Sequence, residues 1–147
     1  MCIRDRPYCL VYKELVPPES LVKVPFIKYQ TDASVANIIE TWCAEHFDEP
    51  PSVAMDVNSM STCRHFVRAG LGWSILTYMG LGSCKDKDIY VSPLRSKNGE
   101  YITRDTNMVY TKDSENLIVV KTFIEYVRNY YKEHTVVDNS ILREYKS

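Results

Sequence analysis

The stretch HFVRAGLGWSIL, residues 65–76, narrows the fold more than any other part of the chain. The chain has only five glycines, and two of them, Gly70 and Gly72, flank Leu71 here. Ahead of them, Cys63, Phe66 and Val67 recur at the three- and four-residue spacing of a helix face. After them, WSIL has the apolar character of a strand. Gly70 stands where a helix C-terminus needs a left-handed residue, and Gly72 lets the chain pass close to a neighbour. With SVAMDV (52–57) as the preceding strand and Asn58 or Ser59 as a cap, residues 52–76 read as strand, helix, glycine turn, strand. A unit of this kind makes a parallel pair with a right-handed crossover.

The flanking segments extend the pattern. CLVYKEL (9–15) is a short extended run, and the paired prolines of VPPES (16–20) mark a connection. VPFIKY (24–29) reads as a strand. Asp32 to Phe47 reads as a helix, because Val35, Ile38, Ile39, Trp42, Cys43 and His46 share one face. Thr31 or Asp32 caps it, and DEPP stops it. TYMGLGSCKDKD (77–88) is a loop with at most one helical turn, and IYVSPL (89–94) is a strand that its proline ends or places at an edge. A turn at Asn98-Gly99 leads into a strand over 101–112. A long helix follows, capped by Asp113 or Ser114 and reaching Glu133, with Leu117, Val120, Ile124, Val127 and Tyr131 on one face. Helices alternating with strands make the class α/β. The consecutive strands near the C-terminus depart from a simple doubly wound pattern.

Composition removes several functions. A net charge of −1 gives no electrostatic footprint for nucleic acid or an anionic membrane. No apolar run approaches the roughly 20 residues that span a bilayer, and no secretory signal is present. The five cysteines (2, 9, 43, 63, 84) are irregularly spaced without a CxxC, which fits reduced thiols and the cytoplasm. Cys43 and His46 could share a metal across one helical turn, but a core cysteine beside a surface histidine is the simpler reading. There is no P-loop, no GxSxG and no GxGxxG. Gly70-Leu71-Gly72 follows a helix, whereas a dinucleotide fingerprint follows a strand. His46, His65 and His134 lie in separate segments with no evident nucleophile.

Two polar turns remain, each after a parallel-type strand: Tyr29-Gln30-Thr31-Asp32 and Asn58-Ser59-Met60-Ser61. In α/β sheets ligands bind at the carboxyl ends of strands, and free N–H groups at helix starts attract anions. Thr31, Asn58 and Ser59 are either ordinary caps or ligand donors, and Asp32, which would oppose an anion, is expected to cap. Trp73 is either a pocket wall or core packing. Tyr126, Tyr130 and Tyr131 suggest a helix packing edge rather than a stacking surface.

Taken in order, PFIKYQTDASVANIIETW, SVAMDVNSMSTCRHFVRAGLGWSIL, IYVSPL and FIEYVRNYYKEH resemble the C-terminal effector-binding domain of LysR-type transcriptional regulators, over about residues 8–133. The family pattern of strand, polar turn, helix ending in Val-x-x-Gly-Leu-Gly and apolar strand appears here as VRAGLGWSIL. A proline often ends that strand in the family; Thr77 stands there in this chain. VxxGLG alone is of moderate specificity, and the ordered series is stronger.

The resemblance implies a fold like type II periplasmic binding proteins, in which two α/β subdomains joined by crossover strands hold a small molecule in their cleft. Residues 7–23 would end the first subdomain and cross over, and 24–100 would form the second. Residues 101–133 would be the return strand and C-terminal helix, and 134–147 a tail. MCIRDR resembles a translated sequencing-adapter remnant, so residues 1–6 are expected outside the fold and the chain is read as part of a longer regulator. Its last helix is then expected to expose apolar surface. The effector contacts carry over to Thr31, Asn58, Ser59 and Met60, with Gly70 and Gly72 as structural turn residues. The expected partners are a small, anionic effector, DNA only through an N-terminal helix-turn-helix, and further copies in a homodimer or homotetramer. No membrane, cofactor, metal or catalytic residue is expected. The alternative is a solute-binding protein of a transporter with the same fold.

Overall fold

The computed structural model describes residues 2–13, 17–81 and 88–133. Cys84, His134 and the tail 134–147 lie outside these residues. The elements in order are β1 (Cys2–Tyr12), β2 (Phe26–Tyr29), α1 (Ala33–His46), β3 (Val53–Val57), α2 (Met60–Arg68), β4 (Ser74–Thr77), β5 (Tyr90–Pro93), β6 (Thr103–Asn107), α3 (Lys112–Glu115) and α4 (Ile118–Glu133). Short 3-10 turns occupy Pro18–Lys23 and Tyr78–Leu81. Residues 2–6, expected outside the fold, continue the backbone of β1. The described chain divides into two compact units, one of Pro7–Ile102 and one that joins residues up to Arg6 with Thr103 onward.

In the larger unit, β2 and β3 pair in parallel, with Phe26 opposite Val53 and Tyr29 opposite Val57. The sequence reading paired β3 with β4, and the structure corrects this. The chain leaving α2 crosses over β2, and Trp73, just ahead of β4, bridges Phe26 in parallel. Ile27 N–H donates to Trp73 C=O at 2.8 Å, and Trp73 N–H donates to Pro25 C=O at 3.0 Å. The crossover thus skips one strand, giving the order β3–β2–β4–β1–β5. On the far side of β4, β1 pairs antiparallel with β4 (Tyr8 opposite Thr77) and with β5 (Cys9 opposite Pro93). Residues 7–23, read as the end of one subdomain and a crossover, therefore supply this sheet's inner strand. Its side chains alternate as a strand buried on both faces requires. Tyr8, Leu10 and Tyr12 join Val35, Ile39, Trp42 and Phe47 in one cluster under α1, while Cys9 and Val11 are also buried. On the α2 side, the Cys63 thiol donates to Ser74 Oγ at 3.0 Å, and Ser74 Oγ donates to Ile27 C=O at 2.7 Å.

Local sequence accounts for the helix ends. The Asp32 carboxylate accepts from Ser34 and Val35 N–H, each at 3.0 Å. At the far end of α2, Gly70 has φ +79°. Its N–H donates to Val67 C=O, and Leu71 N–H donates to Phe66 C=O, a Schellman closure. Gly72 answers a different demand. A Cβ placed there would stand 2.3 Å from the Pro25 carbonyl oxygen, inside the seam that joins β4 to β2.

In the smaller unit, the single long helix read from sequence is broken. Asn116 and Leu117 donate to Asp113 and Ser114 at 3.3 and 3.1 Å, three residues back rather than four, so helical phase is lost between α3 and α4. Thr111, not Asp113 or Ser114, caps α3. On α4 only Ile124 of the expected apolar face is buried, whereas Leu117 and Tyr131 are exposed. Ile118, Val119 and Phe123 are also exposed, and with Thr122 and Tyr126 they border a shallow depression of about 460 Å³. Tyr126, Tyr130 and Tyr131 are likewise exposed, with the Tyr126 and Tyr130 rings stacked at a centroid distance of 6.2 Å. They do not form the packing edge expected of them.

Two substitutions separate backbone conformation from close approach. Gly70→Ala forces a left-handed alanine and is expected to cost about 1 kcal/mol. Gly72→Ala must push two backbones apart and is expected to cost more, about 3 kcal/mol. Urea titration of both variants checks the order, which reverses if the seam can widen freely.

Candidate functional site

The two polar turns meet at one edge of the larger unit's sheet. Because β2 and β3 are parallel, both carboxyl ends point the same way, and each is followed by a helix start. Gln30 N–H donates to Val57 C=O at 2.7 Å and ties the first turn to the end of β3. Thr31 is half-buried, Asn58 exposed, and Ser59 and Met60 half-buried. The structure therefore brings Thr31, Asn58, Ser59 and Met60 to one edge.

The two helix starts are not equivalent. On α1, the Asp32 carboxylate places a negative charge on the positive end of the helix dipole and occupies two N–H groups. On α2, the cap is the neutral hydroxyl of Ser59, which accepts only from Thr62 N–H, at 3.3 Å. The N–H groups of Met60 and Ser61 have no acceptor among the described residues. Of the two, α2 is the end open to an anion.

Trp73 does not join them. It is fully buried, its indole N–H donates to Val24 C=O at 3.0 Å, and its ring lies against Phe26 and Phe47 with centroids 4.6 and 5.8 Å away. Of the two readings of this residue, core packing is the one its burial fits. Met60 turns sideways: its sulfur accepts from the Thr77 hydroxyl at 3.5 Å and lies against Gly80 in the 78–81 turn. Arg64, one helical turn on, donates to Leu81 C=O at 2.5 Å. Neither Arg64 nor Thr77 was singled out as a site residue. Their sequence signal is the four-residue spacing of Met60 and Arg64 on α2.

A groove of about 820 Å³ lies on the α1 face of β2 and β3, lined by Phe26, Lys28, Ile39, Cys43, Phe47 and Val53 among others. Thr31 reaches it, but Asn58, Ser59 and Met60 do not. It exists because β3 pairs only with β2 among the described residues, leaving Val53 half exposed at the edge.

No group of three or more metal-ligating side chains occurs among the described residues. His46 Nδ1 donates to Trp42 C=O at 2.9 Å and its ring stacks on Trp42, so it is not paired with Cys43 as a ligand. Burial, with the Glu40 carboxylate beside it, pushes the Cys43 thiol up to about 11. Burial also raises Cys63, against a lowering hydrogen bond with Ser74. Both are thiols rather than thiolates at neutral pH.

Comparison with known proteins decides the family. Residues 3–132 match the model of the LysR substrate binding domain. The chain belongs to that family. It is 34% identical over 119 residues to the uncharacterized HTH-type transcriptional regulator YraN of Bacillus subtilis (strain 168), covering 81% of this chain and 40% of that regulator. The HTH-type regulator YkuM of the same organism is 27% identical over 105 residues, 71% of this chain and 35% of that protein. The chain thus spans well under half the length of these relatives. Among solved structures it resembles the regulatory domain of Synechocystis PCC6803 CcmR in complex with 2-PG, with a TM-score of 0.65 and 16% identity, covering 91% of this chain and 67% of that one. It also resembles the effector binding domain of QuiR in complex with shikimate, with a TM-score of 0.61 and 16% identity, covering 90% of this chain and 64% of that one. These likenesses show the fold, of the periplasmic-binding-protein-like kind expected. With a regulator family matched, the transporter reading is not favoured. No described helix is long and apolar enough to cross a membrane.

The thiols make a pH prediction. Because the folded Cys43 thiol, pushed up to about 11, lies above its ordinary value of 9.0, the unfolded chain loses its proton first as pH rises. Stability from this group is therefore complete below pH 9 and is lost as pH climbs towards 11. Cys43→Ala should flatten that decline in melts taken across the range. Iodoacetamide at pH 8 should label Cys43 at least ~10-fold more slowly in the native protein than in denaturant; equal rates would contradict its burial.

Proposed function

We propose that the chain is the effector-sensing domain of a LysR-type DNA-binding transcriptional regulator, and that its effector is a small anionic metabolite bound at the start of α2. The observation that carries this is the unequal capping of the two helices. Asp32 has already filled the positive end of α1, while Ser59 leaves the Met60 and Ser61 N–H groups of α2 open. Asn58 and Ser59 immediately precede those groups in the chain, and Thr31 lies in the neighbouring turn, which Gln30 ties to the end of β3. Shikimate, bound by the effector domain of QuiR, carries a carboxylate, which suits such an end.

The mechanism follows from population shift. An effector that prefers one arrangement of the regulator's parts moves the equilibrium towards it. In the full-length protein, a cytoplasmic homodimer or homotetramer, that movement would reset helix-turn-helix pairs on operator half-sites. A net charge of −1 leaves DNA contact to another part of the regulator.

A thermal-shift screen of carboxylates and phosphate esters tests the reading. A true effector should raise the melting temperature in proportion to log concentration. Asn58→Ala with Ser59→Ala should weaken the best hit by at least ~10-fold, from lost hydrogen bonds to a charged group. If hits bind the double variant as well as wild type, the effector site lies elsewhere.

A further inference from the structure

β4 ends on Thr77, whose hydroxyl makes two hydrogen bonds. The Thr77 hydroxyl accepts from Gly80 N–H at 3.2 Å and donates to the Met60 sulfur at 3.5 Å. The surroundings reinforce the contact. A Cβ at Gly80 would stand 2.3 Å from the Met60 sulfur, so the thioether lies flat against that backbone. Arg64 holds the same turn from one helical turn further along, through the Leu81 carbonyl. Tyr78 and Leu81 anchor the turn by burying their side chains.

Met60 is the first residue of α2, directly after the Ser59 cap. Its side chain is long and unbranched, with three rotatable bonds. Released from the turn, it can swing across the N–H groups beside it. We propose that Thr77, Gly80 and Arg64 are positioning residues that park Met60 against the 78–81 turn and so keep the start of α2 open to an anion. This rests on the reading that the start of α2 is the effector site. It converts Met60 from a ligand contact into a residue whose placement sets access, with Gly80 leaving room for its sulfur.

Amide exchange and phosphate titration, both followed by 15N–1H spectra of this chain, test it. In Thr77→Val the Gly80 amide should exchange at least ~10-fold faster than in wild type, with Thr77→Ser restoring protection. Inorganic phosphate should shift the Met60 and Ser61 amides in wild type. It should bind about 5- to 10-fold more weakly to Gly80→Ala, whose Cβ evicts the sulfur, and Met60→Ala in that background should recover the wild-type affinity. Recovery in the double variant excludes misfolding as the cause of the loss. Equal phosphate affinity in wild type and Gly80→Ala overturns the parking role while the effector-site reading stands. Absence of any phosphate shift at Met60 and Ser61 in wild type overturns both. Unchanged Gly80 exchange in Thr77→Val removes Thr77 from the set.

Discussion

The sheet of the larger unit depends on one close approach. Gly72 passes the Pro25 carbonyl so tightly that no side chain fits between them, and the two hydrogen bonds on either side of Trp73 join β4 to β2 there. Without that seam, the parallel β2–β3 pair and the antiparallel β4–β1–β5 set would be separate sheets, each with an open edge. The seam also fixes Trp73. Once its backbone is held by Pro25 and Ile27, its ring can only lie over Phe26 and Phe47, beneath α1. Both faces of the sheet are then covered, by α1 on one side and α2 on the other, and both helix starts come to the same end.

What was legible in the sequence was local. Asp32 and Ser59 as caps, Gly70 as a left-handed terminus and the apolar faces of α1 and α2 depend on residues within one or two turns of one another. Strand neighbours depend on contacts far apart in the chain. The reading that joined β3 to β4 failed because nothing in residues 52–76 records that β2 will occupy the space between them. Trp73 stayed ambiguous for a related reason. An indole suits a pocket wall and a core equally until its N–H finds a partner, and that partner, the Val24 carbonyl, lies 49 positions away.

The turn at 78–81 was the least legible part of the candidate site. Its shape is imposed by side chains from another element, Met60 and Arg64, and not by a turn signature of its own. The break at Asn116–Leu117 was hidden differently. The apolar positions on both sides keep a helical spacing, so periodicity runs through a point where the hydrogen bonds change from four residues back to three. Periodicity reports which residues could share a face; it does not report whether the backbone between them stays in phase.

A chain with 18 basic and 19 acidic residues can still discriminate for anions, because selectivity at a helix start needs no net charge. Backbone N–H groups supply the donors, and the sign of the cap decides whether they are available. Asp32 and Ser59 are both good caps by propensity and stabilise their helices to similar degrees. Electrostatically they are opposites: one neutralises its helix end and the other leaves it positive. The parallel pairing of β2 and β3 sets these two ends side by side, so an incoming anion meets a repelling carboxylate at α1 and open donors at α2. On the proposed function, that contrast would direct the charged group of an effector to the α2 side.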